Sequence, residues 1–337
     1  MSAQGQLALP GVVTETAAEW VWSDETGEEA EVPDFVHATV MKTEVTESLA
    51  PRAGVYVDAT VGGGGHSEAI LEAHGESRVV ALDRDQIALD AARGRLERFG
   101  ARVTFVKTPF GRIAEALDSL GLEKVAGICA DLGVSSPQLD DAARGMSFRR
   151  EGPIDMRMDP SEGEETAFEL IDRLSDDQLA DIIFQYGDER RSRRIARSVK
   201  RALSDNQLIT TLDLRRAIVR AVGPVRVGGV DPATRTFQAL RIAVNRELEE
   251  LEELIAALPR LLEDGGVAAI LSFHSLEDRL VKRAFHAKDT WSPLTKKPVV
   301  ASDEEGASNP RSRSAKLRAA RRLSAEDVAA GGRKYSR

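Results

Sequence analysis

Four consecutive glycines, Gly62 to Gly65, follow one short apolar run and precede a helical pattern. Residues 55–57 suit a buried strand, and residues 67–73 suit an amphipathic helix. In a strand, glycine turn and helix of this order, the bare backbone lets a ligand lie against the helix N-terminus. A nucleotide-binding loop is therefore predicted for NAD or S-adenosylmethionine (SAM), with an ordinary tight turn as the alternative. The G-x-G-x-x-G fingerprint is incomplete, because Ser67 takes its third place.

Asp83 ends a second apolar run and lies about 20 residues beyond the glycines, where nucleotide-binding folds place an acidic residue. One carboxylate can accept hydrogen bonds from both hydroxyls of an adenosine ribose. The alternative is that Asp83 caps the helix that begins near Asp85. Because NAD and SAM both carry this ribose, Asp83 does not decide between them.

Strand and helix patterns alternate along the first half of the chain. Strands are predicted over 55–58, 79–83, 103–106 and 125–130. The predicted helices between them include 86–98 and 111–120. This alternation indicates an α/β fold with a mostly parallel sheet and helices on both faces.

The alternation stops after the fourth predicted strand. Helices alone are predicted from there, over 167–173, 176–185, 189–203 and 211–222, with Ser175 and Thr210 as starts. A helix over 236–258, a turn at 262–266 and a fifth strand over 267–273 then restore the earlier pattern. The sequence predicts a Rossmann-like domain made of 35–141 and 233–322, with an all-helical domain, 142–232, inserted in it. Since ligands bind at the carboxyl ends of such strands, the inserted domain would cover the site.

The net charge of −9 hides a strong asymmetry along the chain. Residues 1–34 contain no Lys or Arg, and we expect them to form a poorly ordered acidic extension. By contrast, 190–201 and 311–322 are rich in arginine, and 323–337 is expected to be a flexible basic tail. Basic runs of this kind either contact phosphates or are solvated helix faces.

The composition is typical of a soluble globular protein, with 42% hydrophobic and 30% charged residues. No apolar run approaches the ~20 residues of a membrane span and no leader pattern opens the chain, so a cytoplasmic location is expected. The single cysteine, Cys129, excludes an intrachain disulfide and indicates core packing. No group of His, Asp and Glu has metal-ligand spacing, so no metal is expected.

The loop after the fourth predicted strand is the best candidate for the reacting site. Asp131 ends that strand, and small residues and Pro137 follow it. Asp131 or a carbonyl of this loop could accept a hydrogen bond from an exocyclic amine, whereas Ser135 and Ser136 also suit a helix N-cap. His274, after the fifth strand, is expected on the rim as a proton acceptor or an RNA contact. No catalytic residue is assigned.

Six segments, in order along the chain, resemble a known family. They are 62–67 (GGGGHS), 81–85 (ALDRD), 131–140 (DLGVSSPQLD), 237–245 (FQALRIAVN), 272–279 (SFHSLEDR) and 309–318 (NPRSRSAKLR). The family is that of the bacterial small-subunit ribosomal RNA cytosine-N4 methyltransferases, also called RsmH or MraW. The likeness runs from His37 to Arg318, and the acidic extension departs from the usual family length.

The resemblance implies SAM-dependent methylation of N4 of a cytosine near the P-site of 16S rRNA, within the small ribosomal subunit. It also implies a class I SAM-dependent methyltransferase fold with an inserted helical domain. The family's cofactor contacts fall on Gly64, Gly65, His66, Asp83, Phe110, Asp131 and Gln138. It therefore favours Asp131 as a cofactor contact over Asp131 as a base.

RNA binding would use the arginine-rich segments. The candidates for phosphate contacts are the basic residues of 190–201, the tail arginines, Arg215, Arg216 and Arg220. Three other classes stay open: a methyltransferase of small molecules or proteins, an NAD-dependent oxidoreductase, and a non-catalytic RNA-binding factor. The sequence does not indicate an oligomeric state.

Overall fold

The computed structural model describes residues 39–224 and 231–330. The predicted acidic extension and residues 331–337 of the predicted tail lie outside these ranges. Within the rest of that tail, Ala325–Ala329 forms a short helix capped by Ser324. No helix in the described ranges is long and apolar enough to cross a membrane.

Seven strands form one sheet. They are β1 Gly54–Asp58, β2 Ser77–Asp83, β3 Val103–Lys107, β4 Val125–Asp131, β5 Leu262–Ser272, β6 Trp291–Pro293 and β7 Lys316–Arg322. Their order is β3-β2-β1-β4-β5-β7-β6, in which β1 to β5 are parallel and β7 is antiparallel to both its neighbours. β4 is buried along its length except at its last residue, as expected for a parallel strand covered on both faces. The five predicted strands and the mostly parallel sheet are confirmed.

Helices cover both faces of this sheet and form a further layer. They are α1 Lys42–Leu49, α2 Gly65–Ala73, α3 Gln86–Leu96, α4 Ile113–Ser119, α5 Ser136–Asp140, α6 Ala167–Arg173, α7 Asp176–Gly187, α8 Ser192–Ser204, α9 Thr211–Val222, α10 Thr234–Asn245, α11 Glu247–Leu261, α12 Ser275–Phe285, α13 Asp303–Ser308 and α14 Ala325–Ala329. One hydrophobic core joins the sheet to α4, α11 and α12, and a second joins it to α1, α2 and α3. Cys129 is buried in the second core.

The inserted segment is helical and has a hydrophobic core of its own, built from α6 to α9. Ser175 and Thr210 begin α7 and α9 with reciprocal capping boxes, which satisfies N–H groups that a helix start leaves without partners. Phe237 and Leu240 of α10 belong to the same core. This helical layer, α6 to α10, therefore extends past the predicted boundary at residue 233.

Three predicted elements differ from the structure. The single helix expected over 236–258 is divided into α10 and α11 at Arg246, whose φ of 52° is left-handed. The turn expected at 262–266 is the first part of β5, where the register against β4 shifts between Val125 and Gly127. The basic run 311–322 contains β7, an internal strand of the sheet.

Candidate functional site

Three neighbouring strands each end in an aspartate: Asp58 of β1, Asp83 of β2 and Asp131 of β4. Because β1 pairs in parallel with both β2 and β4, the three carboxyl ends lie at the same edge of the sheet. Asp83 and Asp131 were predicted and Asp58 was not. Asp58 ends an apolar run as Asp83 does, and that signal could have found it.

The glycine loop is fastened to this edge through its backbone. The N–H of Gly62 donates to Oδ2 of Asp83 at 2.9 Å. A Cβ on Gly63 would meet no atom within 4 Å, so the loop leaves open space there. A Cβ on Gly65 would lie 1.7 Å from Oγ1 of Thr39, so only glycine fits against that threonine. The loop thus presents bare backbone beside the strand ends, as the sequence predicted.

One cavity collects six of the seven predicted cofactor residues. They are Gly65, His66, Asp83, Phe110, Asp131 and Gln138. Gly64 is the exception, because its α-carbon faces α3. A Cβ added there would lie 3.3 Å from Leu96. Gly64 directly precedes α2 and has a φ of 83°. Other lining residues include Thr60, Met158, Phe273 and Arg311. No sequence signal marked Met158 as a site residue, whereas Arg311 belongs to the basic run 311–322 and to the family-like segment 309–318.

The capping role that the sequence left open for Asp83 belongs to Asp85. Asp85 is the cap of α3, because its side chain accepts from the N–H of Ile87 at 3.0 Å. Asp83 instead accepts from the N–H groups of Gly62 and Asp85, each at 2.9 Å. Burial raises the pKa of Asp83 to about 6, although these two hydrogen bonds oppose the rise. Asp83 is therefore ionised at neutral pH and faces the cavity.

Gln138 holds the loop after β4 in place. Its Oε1 accepts from the N–H of Ser135 at 3.0 Å, as in one half of a capping box at the start of α5. Its Nε2 donates to Oδ2 of Asp85 at 3.0 Å, and that carboxylate also pairs with Arg144. Gln138 thus connects the loop after β4 to the end of β2.

Phe110 is partly buried against the core under α4 and α11.

His66 lies between two of the strand-end carboxylates. Its Nε2 is 3.7 Å from Oδ2 of Asp131, too far for a hydrogen bond but close enough for attraction between charges. Burial lowers the pKa of His66, but Asp131 and Asp58 outweigh burial and raise it above its ordinary value. Burial raises the pKa of Asp58, although His66 and the hydroxyl of Ser67 act against it.

Two of these groups have buried polar atoms that make no hydrogen bond within the described part of the chain. They are both ring nitrogens of His66 and Oδ1 of Asp131. Buried polar atoms are rarely left in this state, so these atoms are available to a polar ligand or to water. SAM fits, because its amino and carboxylate groups, its ribose diol and its adenine match the acceptors, donors and Phe110 that line the cavity.

His274 has a structural place outside the cavity lining. It is the cap residue of α12, and its Nε2 lies 3.1 Å from Oε1 of Glu277. Glu247, His274 and Glu277 bring one ligand atom each within 4.8 Å of one another, the arrangement of a possible metal site. However, Arg241 donates two hydrogen bonds to Glu247, at 2.7 and 2.8 Å. The charge of the Glu247 carboxylate is therefore already neutralised by the guanidinium group. The absence of a metal stays a prediction.

The arginines proposed to contact RNA fall into two groups. Several are held by carboxylates: Arg215 by Asp231, Arg216 by Asp213, Arg318 by Asp278 and Arg322 by Asp264. Arg318 is also buried in β7, so it is poorly placed to contact a phosphate. Arg190, Arg193 and Arg194 are exposed, and their guanidinium groups make no ion pair with any described residue.

Comparison with known proteins adds a family to this geometry. The model of the MraW methylase family matches residues 34–323. The chain belongs to this family. A relative from Sorangium cellulosum, named ribosomal RNA small subunit methyltransferase H, is 61% identical over 87% of this chain and 93% of its own. A relative of the same name from a Cyanothece species is 51% identical over 87% of this chain and 97% of its own.

Family membership confirms three of the predictions. The chain is a SAM-dependent methyltransferase, its fold is the class I methyltransferase fold, and SAM is its cofactor. The NAD-dependent oxidoreductase is thereby set aside, in agreement with the incomplete fingerprint at Ser67.

Proposed function

We propose that the chain transfers the methyl group of SAM to the exocyclic N4 of a cytosine. The cytosine would lie in the decoding region, near the P-site, of 16S rRNA within the small ribosomal subunit. The substrate class is supported by the names of the relatives, which are 61% and 51% identical to this chain. The resemblance of residues 131–140 and 309–318 to the cytosine-N4 enzymes supports the position of the methyl group.

For the cofactor, we propose roles for the seven residues that the resemblance implied. Asp83 would accept from the ribose hydroxyls, Phe110 would pack against the adenine, and the glycine loop with His66 would hold the methionine part. Oδ1 of Asp131, a buried atom with no hydrogen bond in the described chain, would accept from the amino group of SAM. Gln138 would act by holding the loop after β4. Gly64 would contribute backbone alone.

The observation that carries the reaction is that the glycine loop and the loop 131–135 line one cavity. When bound, SAM would supply a methyl group that is electrophilic because it is attached to a positive sulfur. The S–CH3 bond would break as the N–CH3 bond forms, so that S-adenosylhomocysteine leaves and the amine releases one proton to solvent. The nitrogen of an exocyclic amine is conjugated with its ring, so acceptors for its N–H groups raise its electron density. The backbone of 132–135, a segment that lines the cavity, would supply such acceptors. Holding the nitrogen in line with the methyl group would supply most of the remaining reduction of the activation barrier.

Two other methyltransferase functions compete with this proposal, on a small molecule and on a protein, as does a non-catalytic RNA-binding role. The test uses tritiated SAM with small subunits from a strain that lacks the modification, with naked 16S rRNA and with ribosomal protein. We expect label in 16S rRNA of the subunits, and N4-methylcytosine at one position by mass spectrometry. Label in protein, in another base or in none of these would contradict the proposal. Ribosomal substrate implies a cytoplasmic location.

A further inference from the structure

Arg311 brings a positive charge from the C-terminal part of the chain to the cofactor cavity. It lines the same cavity as Asp131, Ser135 and Phe273, with 31% of its side chain exposed. The segment around it, Pro310–Ser314, is a single 3-10 turn whose backbone is fixed by Asn309 and Ser312. The guanidinium group is therefore positioned by the fold and does not hang from a loose tail.

The contacts of Arg311 place it beside the loop that follows β4. Its guanidinium is 3.5 Å from Oδ2 of Asp140, the last residue of α5. α5 begins directly after residues 131–135, the loop that would face the acceptor base. Nearby, Phe273 approaches the same loop, since a Cβ on Gly133 would lie 3.6 Å from its ring. Arg311 therefore stands on the acceptor side of the cavity.

Two more arginines lie near Arg311. Arg150 donates to the backbone carbonyl of Asp140 at 3.0 Å. Arg149 is exposed and lies close enough to Arg311 to repel it. Burial lowers the pKa of Arg311, and Arg149 lowers it further against the opposing effect of Asp140. Like charges held together at a partly buried place are stabilised when an anion binds between them.

We propose that Arg311, with Arg149 and Arg150, binds a phosphodiester next to the target nucleotide at the mouth of the cavity. This inference rests on the proposed function and assigns a subsite to it. A base must leave its stack to reach a methyl group inside a cavity, and its own backbone then passes over the rim. An arginine there can donate hydrogen bonds to two phosphate oxygens at once, which holds the nucleotide in place while its base enters the cavity. Arg311 is on this account a positioning residue.

The carboxylate of the cofactor's methionine part is the other anion that enters this cavity, and the experiment separates the two. The variants are Arg311→Ala, Arg311→Lys and Arg149→Ala, with Arg260→Ala as the control. Arg260 is an exposed arginine in the last turn of α11, at the opposite edge of the sheet, where β5 begins. SAM binding is measured by calorimetry, and methylation of unmodified small subunits is measured over a series of salt concentrations. Thermal melting of each variant verifies its fold.

We expect Arg311→Ala to raise KM for the subunits about tenfold, with kcat and the dissociation constant of SAM within about twofold. The slope of log(kcat/KM) against log salt should become shallower by about one, since one phosphate contact is lost. Arg311→Lys should recover part of the loss because it keeps the charge without the two-pronged geometry. Arg149→Ala should show a smaller loss of the same kind, and Arg260→Ala should match the wild type.

Unchanged KM and unchanged salt slope in Arg311→Ala would overturn the subsite. Weaker SAM binding with an unchanged salt slope would overturn it too, and would assign Arg311 to the cofactor. If the wild type does not methylate small subunits, the proposed function fails by itself. Direct binding of the same subunits to the wild type and to Arg311→Ala then tests the subsite. A weaker affinity of the variant would support it, and an equal affinity would overturn it.

Discussion

At the residue scale, Asp83 has two tasks that compete for one carboxylate. It accepts backbone N–H groups from Gly62 and Asp85, and in the proposed site it also accepts the ribose hydroxyls. A carboxylate has about four lone-pair sites, so all of these bonds can form together only when the group is ionised. With a pKa of about 6, the group loses its charge within a mildly acidic range.

Replacement of Asp83 by alanine should weaken SAM binding at pH 8 by about tenfold or more, because charge-assisted hydrogen bonds contribute about 1.5–3 kcal/mol. In the wild type, SAM binding favours the ionised form, so affinity should fall as pH drops through about 6. The variant should lose this pH dependence. Calorimetry between pH 5 and pH 8 checks both effects, with Asp90→Asn on the exposed face of α3 as the control. Native affinity in Asp83→Ala would remove Asp83 from the site.

What the sequence revealed about single residues depended on local pattern. Asp83 and Asp131 were found because each ends an apolar strand, and the same rule would have found Asp58. The sequence could not show why residue 64 is glycine, because the reason is the close approach of Leu96 from α3. Arg311 could not be placed either. It lies more than 170 residues beyond Asp140, and no local pattern connects residues that the fold brings together over such a separation.

At the element scale, the start of α8 is the best candidate for RNA binding by the helical layer. A surface cleft is lined by Phe184 and Gln185 of α7 and by residues 190–194. The ring of Phe184 is 53% exposed, which is unusual for a phenylalanine, and arginines lie beside it. Arginines next to an exposed aromatic ring are typical of surfaces that bind single-stranded nucleic acid.

Neutralisation of Arg190, Arg193 and Arg194 together should weaken binding of 16S rRNA and make its salt dependence shallower, with SAM affinity unchanged. Arg191 is left in place because it donates to the carbonyl of Val222 at 2.8 Å and ties α8 to α9. Phe184→Ala should weaken RNA binding about tenfold, through the loss of stacking on a base. Filter binding over a salt series measures both effects, with Phe168→Ala on α6 as the matched control. RNA binding equal to the wild type in both variants would exclude this surface.

The elements themselves were predictable where their signals were local. The capping residues Ser175 and Thr210 marked two helix starts, and continuous apolar runs marked the parallel strands. β7 was missed because it carries four basic residues in seven, and two of them, Arg318 and Arg322, are neutralised by distant carboxylates. The division between α10 and α11 was missed because a left-handed arginine ends α10 where glycine or asparagine is usual.

At the scale of the whole molecule, buried hydrogen bonds join the helical layer to the cofactor site. Asn245, at the end of α10, accepts from the N–H of Met158 and donates to the carbonyl of Met156, each at 2.7 Å. Arg84, the residue after Asp83, donates to the carbonyl of Asn245 at 3.2 Å. Arg144 donates to the carbonyl of Met158 and pairs with Asp85. The segment that lines the cavity at Met158 is thus fixed to β2 and α10 together.

This network predicts that one substitution should lower both stability and cofactor affinity. Asn245→Ala leaves the N–H of Met158 and the carbonyl of Met156 buried without partners, at a cost of about 2–4 kcal/mol in the free energy of unfolding. Met158 should also lose its fixed place at the cavity wall, so SAM should bind less tightly even where the variant remains folded. Urea unfolding and calorimetry on the same preparation measure the two effects. The control is Gln86→Ala, which removes an exposed amide on α3 that donates to Asp90, four residues further along the same helix. A loss of stability with native SAM affinity would show that the helical layer and the cofactor site are not coupled through Asn245.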